Sequence, residues 1–165
     1  MSTWLVVAIV VAVVAVVVKR LIGEPVNVRD LFAPPVVLLA IGVVGLVKAE
    51  HVTGVDIAWI VAGSAVGLGM GALRGATPKL FTKDGVLWHR YTGWTFGVWV
   101  LSVAVNGGLD LVATANGLHH DVKPVQLAIG VSLLGEAVVI GLRSMRAGVP
   151  FAPDRPSLVD RLIKR

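Results

Sequence analysis

Long apolar runs separated by short charged loops constrain this chain more than any other feature. The 165 residues contain five such runs, at about 4–18, 31–47, 55–73, 92–113 and 125–142. A helix needs about 20 apolar residues to cross a bilayer, and a soluble domain of this size could not bury so much apolar surface. We therefore predict an all-α fold: a single integral membrane domain over residues 1–165, built as a polytopic bundle of five transmembrane helices.

The first run, 4–18, is short for a span and is followed directly by Lys19 and Arg20. A cleaved signal peptide carries its positive charge before the apolar stretch rather than after it. We therefore expect an uncleaved first helix whose N-terminus lies outside.

Basic residues are concentrated in alternate loops. Of the 15 Lys and Arg residues, all but Lys48 and Lys123 follow the first, third or fifth run. Loops rich in Lys and Arg remain in the cytoplasm, so the pattern predicts an N-out, C-in topology. The net charge of +5 is then a topology signal, and we expect the lipid bilayer and no nucleic acid as a partner. The composition, rich in Ala, Val and Gly, is typical of a GC-rich bacterial genome and hence of a bacterial cytoplasmic membrane.

Two cytoplasmic segments have patterns of their own. The stretch 80–88 places Asp84-Gly85 between two short strand-like runs, which predicts a β-hairpin. In the tail, 143–165, apolar and charged residues of 157–165 alternate with a helical period. This pattern predicts an amphipathic helix on the inner membrane surface, although a frayed, solvated tail fits it equally well.

Glycines recur every four residues in the third run, at Gly63, Gly67, Gly71 and Gly75. Such a stripe lets another helix approach closely. We favour packing within the chain, and a homo-oligomer or membrane-protein interface, or a groove for a ligand, are the alternatives. The candidate ligand-binding residues are Gly67, Gly71, Arg74 and Trp99.

Three polar residues inside the runs are candidates for catalysis. Glu136 lies deep in the fifth run, and an ionisable group at membrane depth must pair, face a cavity or hold a proton. Asn106 and Asp110 lie four residues apart and share one face of the fourth run. The alternative is a purely structural role, in which Glu136 bonds to Asn106, Trp99 or a serine of the fourth run.

Histidines occur in the two outer loops, at His51, His119 and His120, together with carboxylates. Such a group can ligate a divalent metal or act in acid–base catalysis, although the spacing matches no known metal motif and solvated loop residues are the simpler interpretation. The chain has no cysteine, which excludes disulfides and thiol nucleophiles. The sequence identifies no cofactor.

The segments G-L-G-M-G-A-L-R-G (67–75), D-G-V-L-W (84–88) and T-F-G-V-W-V-L-S-V (95–103) resemble the CcdC-like family of small bacterial membrane proteins, largely of unknown function. The resemblance covers about a third of the chain. It implies a multi-span bundle that shares the glycine-rich helix, Arg74 and the Asp84-Gly85 turn. It supplies no catalytic residues.

Three functions are compatible with this sequence. The one we favour is an accessory or packing module in a membrane assembly. The alternative is an intramembrane enzyme or proton-coupled binder of a lipid-like or isoprenoid-like ligand, which would use Glu136, Asn106 and Asp110. A transporter is the least favoured, because five spans offer no inverted repeat.

Overall fold

Four long apolar helices make up most of the structure. The computed structural model describes residues 18, 21–49, 51–119 and 125–152, and it is mostly helical. Each of the four helices is long and apolar enough to cross a membrane, as in a multi-pass membrane protein. The predicted first span, 4–18, lies outside the described residues except for Val18, and so does the predicted tail helix, 157–165. The helices are α1 (Val28–Lys48), α2 (Gly54–Ala76), α3 (Gly93–Ala115) and α4 (Val125–Arg146).

Side-chain caps determine where three of these helices begin. The Asn27 side chain accepts a hydrogen bond from the Arg29 amide (2.8 Å) at the start of α1. Thr53 and Asp56 form a capping box on α2, and Thr92 and Thr95 form one on α3. These caps satisfy amides that have no partner within the helix. They place each helix start between one and three residues from the start of its apolar run.

Helix α4 lies at the centre of the bundle, in contact with both α1 and α2, and α3 packs on α2. Close approaches at glycines give the directions. A Cβ added at Gly75 would lie 2.6 Å from the Glu136 carbonyl oxygen, and one at Gly71 would overlap that of Ser132, so α2 and α4 run parallel. Gly42 packs on Leu127, whereas Gly141, further along α4, packs on Phe32, earlier in α1. Helices α1 and α4 are therefore antiparallel.

A small antiparallel sheet covers one end of the bundle, which we call the sheet end. Its strands are β1 (Glu24–Pro25), β2 (Lys79–Lys83) and β3 (Val86–Arg90), in the order β1-β3-β2. Asp84 (φ 53°) and Gly85 (φ 74°) connect β2 to β3 in a two-residue turn. Positive φ at both positions is what a type I′ hairpin requires. The opposite end of the bundle, with the α1–α2 and α3–α4 connections, is the loop end.

The sheet packs on the bundle through a small apolar core. Val26, Leu87 and Ile140 are almost fully buried there, against Leu80 among others. The chain after α4 joins the same layer, because the Leu87 amide donates to the Pro150 carbonyl (3.2 Å) and the Ala152 amide donates to that of Val26 (2.9 Å). Segments from before α1, between α2 and α3, and after α4 thus form one unit.

Charge is distributed unevenly between the two ends. Among the described residues, Lys48 is the one Lys or Arg at the loop end. The others are at the sheet end: Arg29, Arg74, Lys79, Lys83, Arg90, Arg143 and Arg146.

Candidate functional site

A buried ion pair joins α2 to α4 near the sheet end. The Arg74 Nε donates to the Glu136 Oε2 at 2.6 Å, and the two side chains are only 7% and 8% exposed. Arg74 belongs to the last turn of α2, and Glu136 lies halfway along α4. The parallel packing of the two helices places these residues at the same level.

Two further side chains complete the group. The Tyr91 hydroxyl donates to the other carboxylate oxygen, Glu136 Oε1, and the Arg74 Nη2 donates to the Ser132 hydroxyl at 3.4 Å. Tyr91 is buried where β3 leads into α3, between the rings of His89 and Phe96. We call Arg74, Glu136, Tyr91 and Ser132 the ion-pair cluster. It connects α2, α4 and the junction between the sheet and α3.

Glycines bring the two backbones close enough for this cluster to form. Gly71 and Gly75 contact the α4 backbone at Ser132 and Glu136, one turn apart. Gly135 of α4 approaches the α2 backbone in the same way, because a Cβ there would lie 3.1 Å from the Ala72 amide nitrogen. The predicted ligand-binding residues Gly71 and Arg74 therefore pack against α4 of the same chain. The prediction of an oligomer interface through this helix stays a prediction.

Arg143 makes a second polar link at this end. Its Nη1 donates to the carbonyl oxygens of Gly75 and Pro78, at 3.0 Å each. Carbonyls at the end of a helix have no partner within it, and a cation there also interacts favourably with the helix dipole. Arg143 thus caps α2 and attaches the start of the hairpin to α4.

The geometry of the cluster is that of a closed structural unit. Both carboxylate oxygens of Glu136 accept hydrogen bonds, and only 6% of the surface of Glu136 is exposed. The opposite charges compensate each other, which is how a buried ion is tolerated in an apolar environment. Removing one partner from such a pair costs about 3–5 kcal/mol, because the other charge is left buried and alone.

The other two candidate catalytic residues lie elsewhere, in a cleft of about 240 Å³ between α2, α3 and α4 towards the loop end. Asn106 and Asp110 line this cleft with Trp59 and Ser64, and Glu136 is not among the lining residues. Asn106 lies beside Gly67, whereas Glu136 lies beside Gly75. Eight residues of helix separate those levels, or about 12 Å. The structure therefore divides the three predicted residues between two places.

At the loop end, Asp56 connects two segments that are distant in sequence. Its carboxylate is fully buried and accepts hydrogen bonds from the Thr53 hydroxyl (2.6 Å) and the His119 amide (3.0 Å). The His119 Nδ1 lies 3.2 Å from both carboxylate oxygens. Asp56 therefore caps α2 and also fixes the chain that follows α3.

The predicted histidine metal site is described only in part. His51 and His119 are exposed, and His120 lies outside the described residues. Within the described ranges, no group of three His, Cys, Asp or Glu side chains is arranged to hold a metal ion. The three-histidine site thus stays a prediction.

Sequence reasoning missed several of the important partners. Glu136 was expected to bond to Asn106, Trp99 or a serine of the fourth run, but its partners are Arg74 and Tyr91. Trp99 is 51% exposed on α3. Tyr91 had one usable signal, since it is the single tyrosine of the chain and lies just before a helix cap.

Comparisons with known proteins identify no family for this chain. A scan against protein-family models finds no match, and searches of curated proteins and of solved structures find none either. The resemblance to the CcdC-like family accordingly stays a prediction from the residues quoted above.

Proposed function

We propose that this protein is a non-enzymatic accessory module of a membrane assembly, in which the helical bundle holds a small sheet rigidly at the membrane surface. The proposal includes five spans, an N-out, C-in topology and residence in a bacterial cytoplasmic membrane. The resemblance to the CcdC-like family is consistent with such a role.

The ion-pair cluster is the observation that supports this function. Among the acidic residues, Glu136 is the strongest candidate for catalysis from the sequence. However, both of its carboxylate oxygens accept hydrogen bonds from side chains of the fold, Arg74 and Tyr91. A catalytic acid or base must come within hydrogen-bond distance of its substrate. Glu136 is buried and lies outside the cleft, so its position favours a structural role.

The ion-pair cluster and Arg143 together explain why the sheet would be held in one orientation. Tyr91 directly follows β3, and Arg143 bonds to Pro78, directly before β2. Both ends of the hairpin are therefore attached to the bundle by polar contacts, in addition to the apolar core. A rigid surface loses less conformational entropy when a partner binds.

The topology rests on the charge distribution. Positive residues are retained on the cytoplasmic side, and the sheet end carries seven of the eight described Lys and Arg residues. A cytoplasmic sheet requires α1 to leave the cytoplasm, which is compatible with an N-out span over 4–18.

The test separates structure from chemistry at the cluster. In the apolar triple variant, Arg74→Met, Glu136→Leu and Tyr91→Phe are combined, so that no charge is left unpaired. The tagged wild-type protein and this variant would each be expressed in the native organism and extracted in mild detergent. Their complexes would be compared by native gel and mass spectrometry.

We expect both proteins to be found in the same complex at fixed stoichiometry, and both to restore the function of cells that lack the gene. A triple variant that folds and assembles, but does not restore function, would assign chemistry to the cluster. A wild-type chain that is monomeric and without a protein partner would contradict the accessory role.

A further inference from the structure

The cleft that contains Asn106 and Asp110 points to a ligand. We propose that it binds one acyl chain of a phospholipid with an amine headgroup, and that the ammonium group of this lipid lies at Asp110. This inference is independent of the accessory role, which rests on the ion-pair cluster nearer the sheet end.

The cleft lies where the close backbone contact between α2 and α4 ends, towards the loop end. At Gly71 and Gly75 the two backbones are in contact, whereas a Cβ at Gly67 would still be 3.8 Å from the nearest α4 backbone atom, the Ala128 oxygen. At Gly63 no atom of α4 would be within 4 Å of such a Cβ, and the nearest neighbour is Leu109 of α3 at 3.9 Å. Beyond this contact α2 and α4 line the cleft, which we also call the wedge, with α3 along one side.

The lining of this wedge fits a hydrocarbon chain. A void between membrane helices loses the dispersion contacts that lipid tails would supply, so an acyl chain is its natural occupant. The volume of about 240 Å³ is below the roughly 300–1,000 Å³ of common small-molecule pockets, which suits part of one acyl chain rather than a whole cofactor. The apolar lining residues include Ile60, Leu109, Leu118, Val125, Leu127 and Ile129.

The polar part of the lining selects the headgroup. Asp110 is exposed and lies one turn from Asn106, closer to the loop end of α3. Asp110 is the carboxylate among the described lining residues of the cleft, and no Lys or Arg is among them. Such a surface attracts an ammonium group and repels an anionic headgroup. An amine-headed zwitterionic phospholipid satisfies both the apolar wedge and the acidic rim.

Two glycines of α2 offer a matched test. Gly63→Leu places a side chain in the cleft, because Gly63 lines it and has only Leu109 nearby. Gly69→Leu makes the same change on the same helix. A Cβ at Gly69 meets nothing within 4 Å, and Gly69 is not among the residues that line the cleft. Ala128→Leu fills the cleft from α4 and serves if Gly63→Leu fails to fold.

The measurement is native mass spectrometry of the purified protein in mild detergent. Phosphatidylethanolamine and phosphatidylglycerol with identical acyl chains would be added in turn, and the fraction of protein that retains one lipid recorded. We expect a preference of about 1.4-fold to fivefold for phosphatidylethanolamine, the size of one exposed ion pair. Gly63→Leu should lose retention, Gly69→Leu should keep it, and Asp110→Asn should abolish the preference.

Three results would each overturn the proposal. The first is that Gly63→Leu (or Ala128→Leu) retains as much lipid as Gly69→Leu. The second is that the wild type prefers phosphatidylglycerol. The third is that Asp110→Asn keeps the wild-type preference for phosphatidylethanolamine. Because the assay uses the isolated protein, its failure leaves the complex in cells untouched. The two proposals therefore fail separately.

Discussion

Gly71 of α2 and Ser132 of α4 are in direct backbone contact, and a Cβ at Gly71 would overlap the Ser132 carbonyl oxygen. Gly71→Ala must therefore push the two helices apart at the level of the ion-pair cluster. Overpacking of this kind costs about 1–3 kcal/mol or more. Thermal unfolding in detergent should show a marked loss of stability for Gly71→Ala.

Gly69→Ala is the matched control, because Gly69 lies on the same helix and a Cβ there meets nothing within 4 Å. Alanine favours a helix over glycine by roughly 0.5–1 kcal/mol, so this variant should be as stable as the wild type or slightly more so. Equal effects of the two substitutions would show that the α2–α4 contact is not close in solution.

Glu136→Gln is expected to destabilise the fold strongly. The change leaves the buried Arg74 guanidinium without its counter-charge, at a cost of about 3–5 kcal/mol. The apolar triple variant defined above removes every charge and should recover most of this loss, because apolar replacement of a buried pair is often neutral. The loss in Glu136→Gln and its recovery in the triple variant are both measured as the free energy of unfolding, obtained by titrating a denaturing detergent into protein in mild-detergent micelles. A triple variant less stable than Glu136→Gln would contradict the assignment of the penalty to an unpaired Arg74.

Asp56→Ala should loosen the loop end. It removes the hydrogen bonds that the Asp56 carboxylate accepts from the Thr53 amide and hydroxyl and from the His119 amide, each worth about 0.5–1.5 kcal/mol. Hydrogen exchange should become faster both at the start of α2 and around His119. Asp30→Ala, in the exposed first turn of α1, is the control and should leave both regions unchanged. Faster exchange at only one of the two regions would show that Asp56 does not connect them.

The hydropathy pattern predicted four of the helices well, and their ends less well. Helix α4 continues to Arg146, although its apolar run ends before Arg143. In an apolar run the first charge marks the membrane boundary, but a helix can extend beyond it. In this last turn Arg143 bonds to the carbonyls of Gly75 and Pro78, a contact that hydropathy does not record.

The cluster was predictable in kind but not in composition. An acid deep in an apolar run requires a partner, and Glu136 has one. Which partner depends on the direction and register of α2 against α4, since Arg74 and Glu136 are 62 positions apart. The glycine stripe indicated a close contact, but it named neither the helix on the other side nor Tyr91.

Gly85→Ala should weaken the hairpin through the backbone alone. Gly85 has a φ of 74°, and a Cβ there would meet no atom within 4 Å, so the cost is conformational rather than steric. A left-handed conformation costs a residue with a Cβ about 1–2 kcal/mol. Gly93→Ala, at an open helical position, is the control and should be neutral. Thermal unfolding compares the two, and equal stability would argue against a turn with positive φ at Gly85.

Single cysteines can test the topology directly, because the chain has none of its own. Thr82→Cys lies on the exposed part of β2 at the sheet end, and Ala115→Cys lies on the exposed last residue of α3 at the loop end. With a membrane-impermeant maleimide on intact cells, we expect labelling of Ala115→Cys, and of Thr82→Cys only after permeabilisation. The positive-inside bias of the sheet end is the physical reason.

Ser2→Cys decides the number of spans. If 4–18 crosses the membrane, Ser2→Cys is labelled from outside, whereas with four spans it is protected together with Thr82→Cys. Labelling of Thr82→Cys in intact cells would reverse the orientation and place the sheet outside.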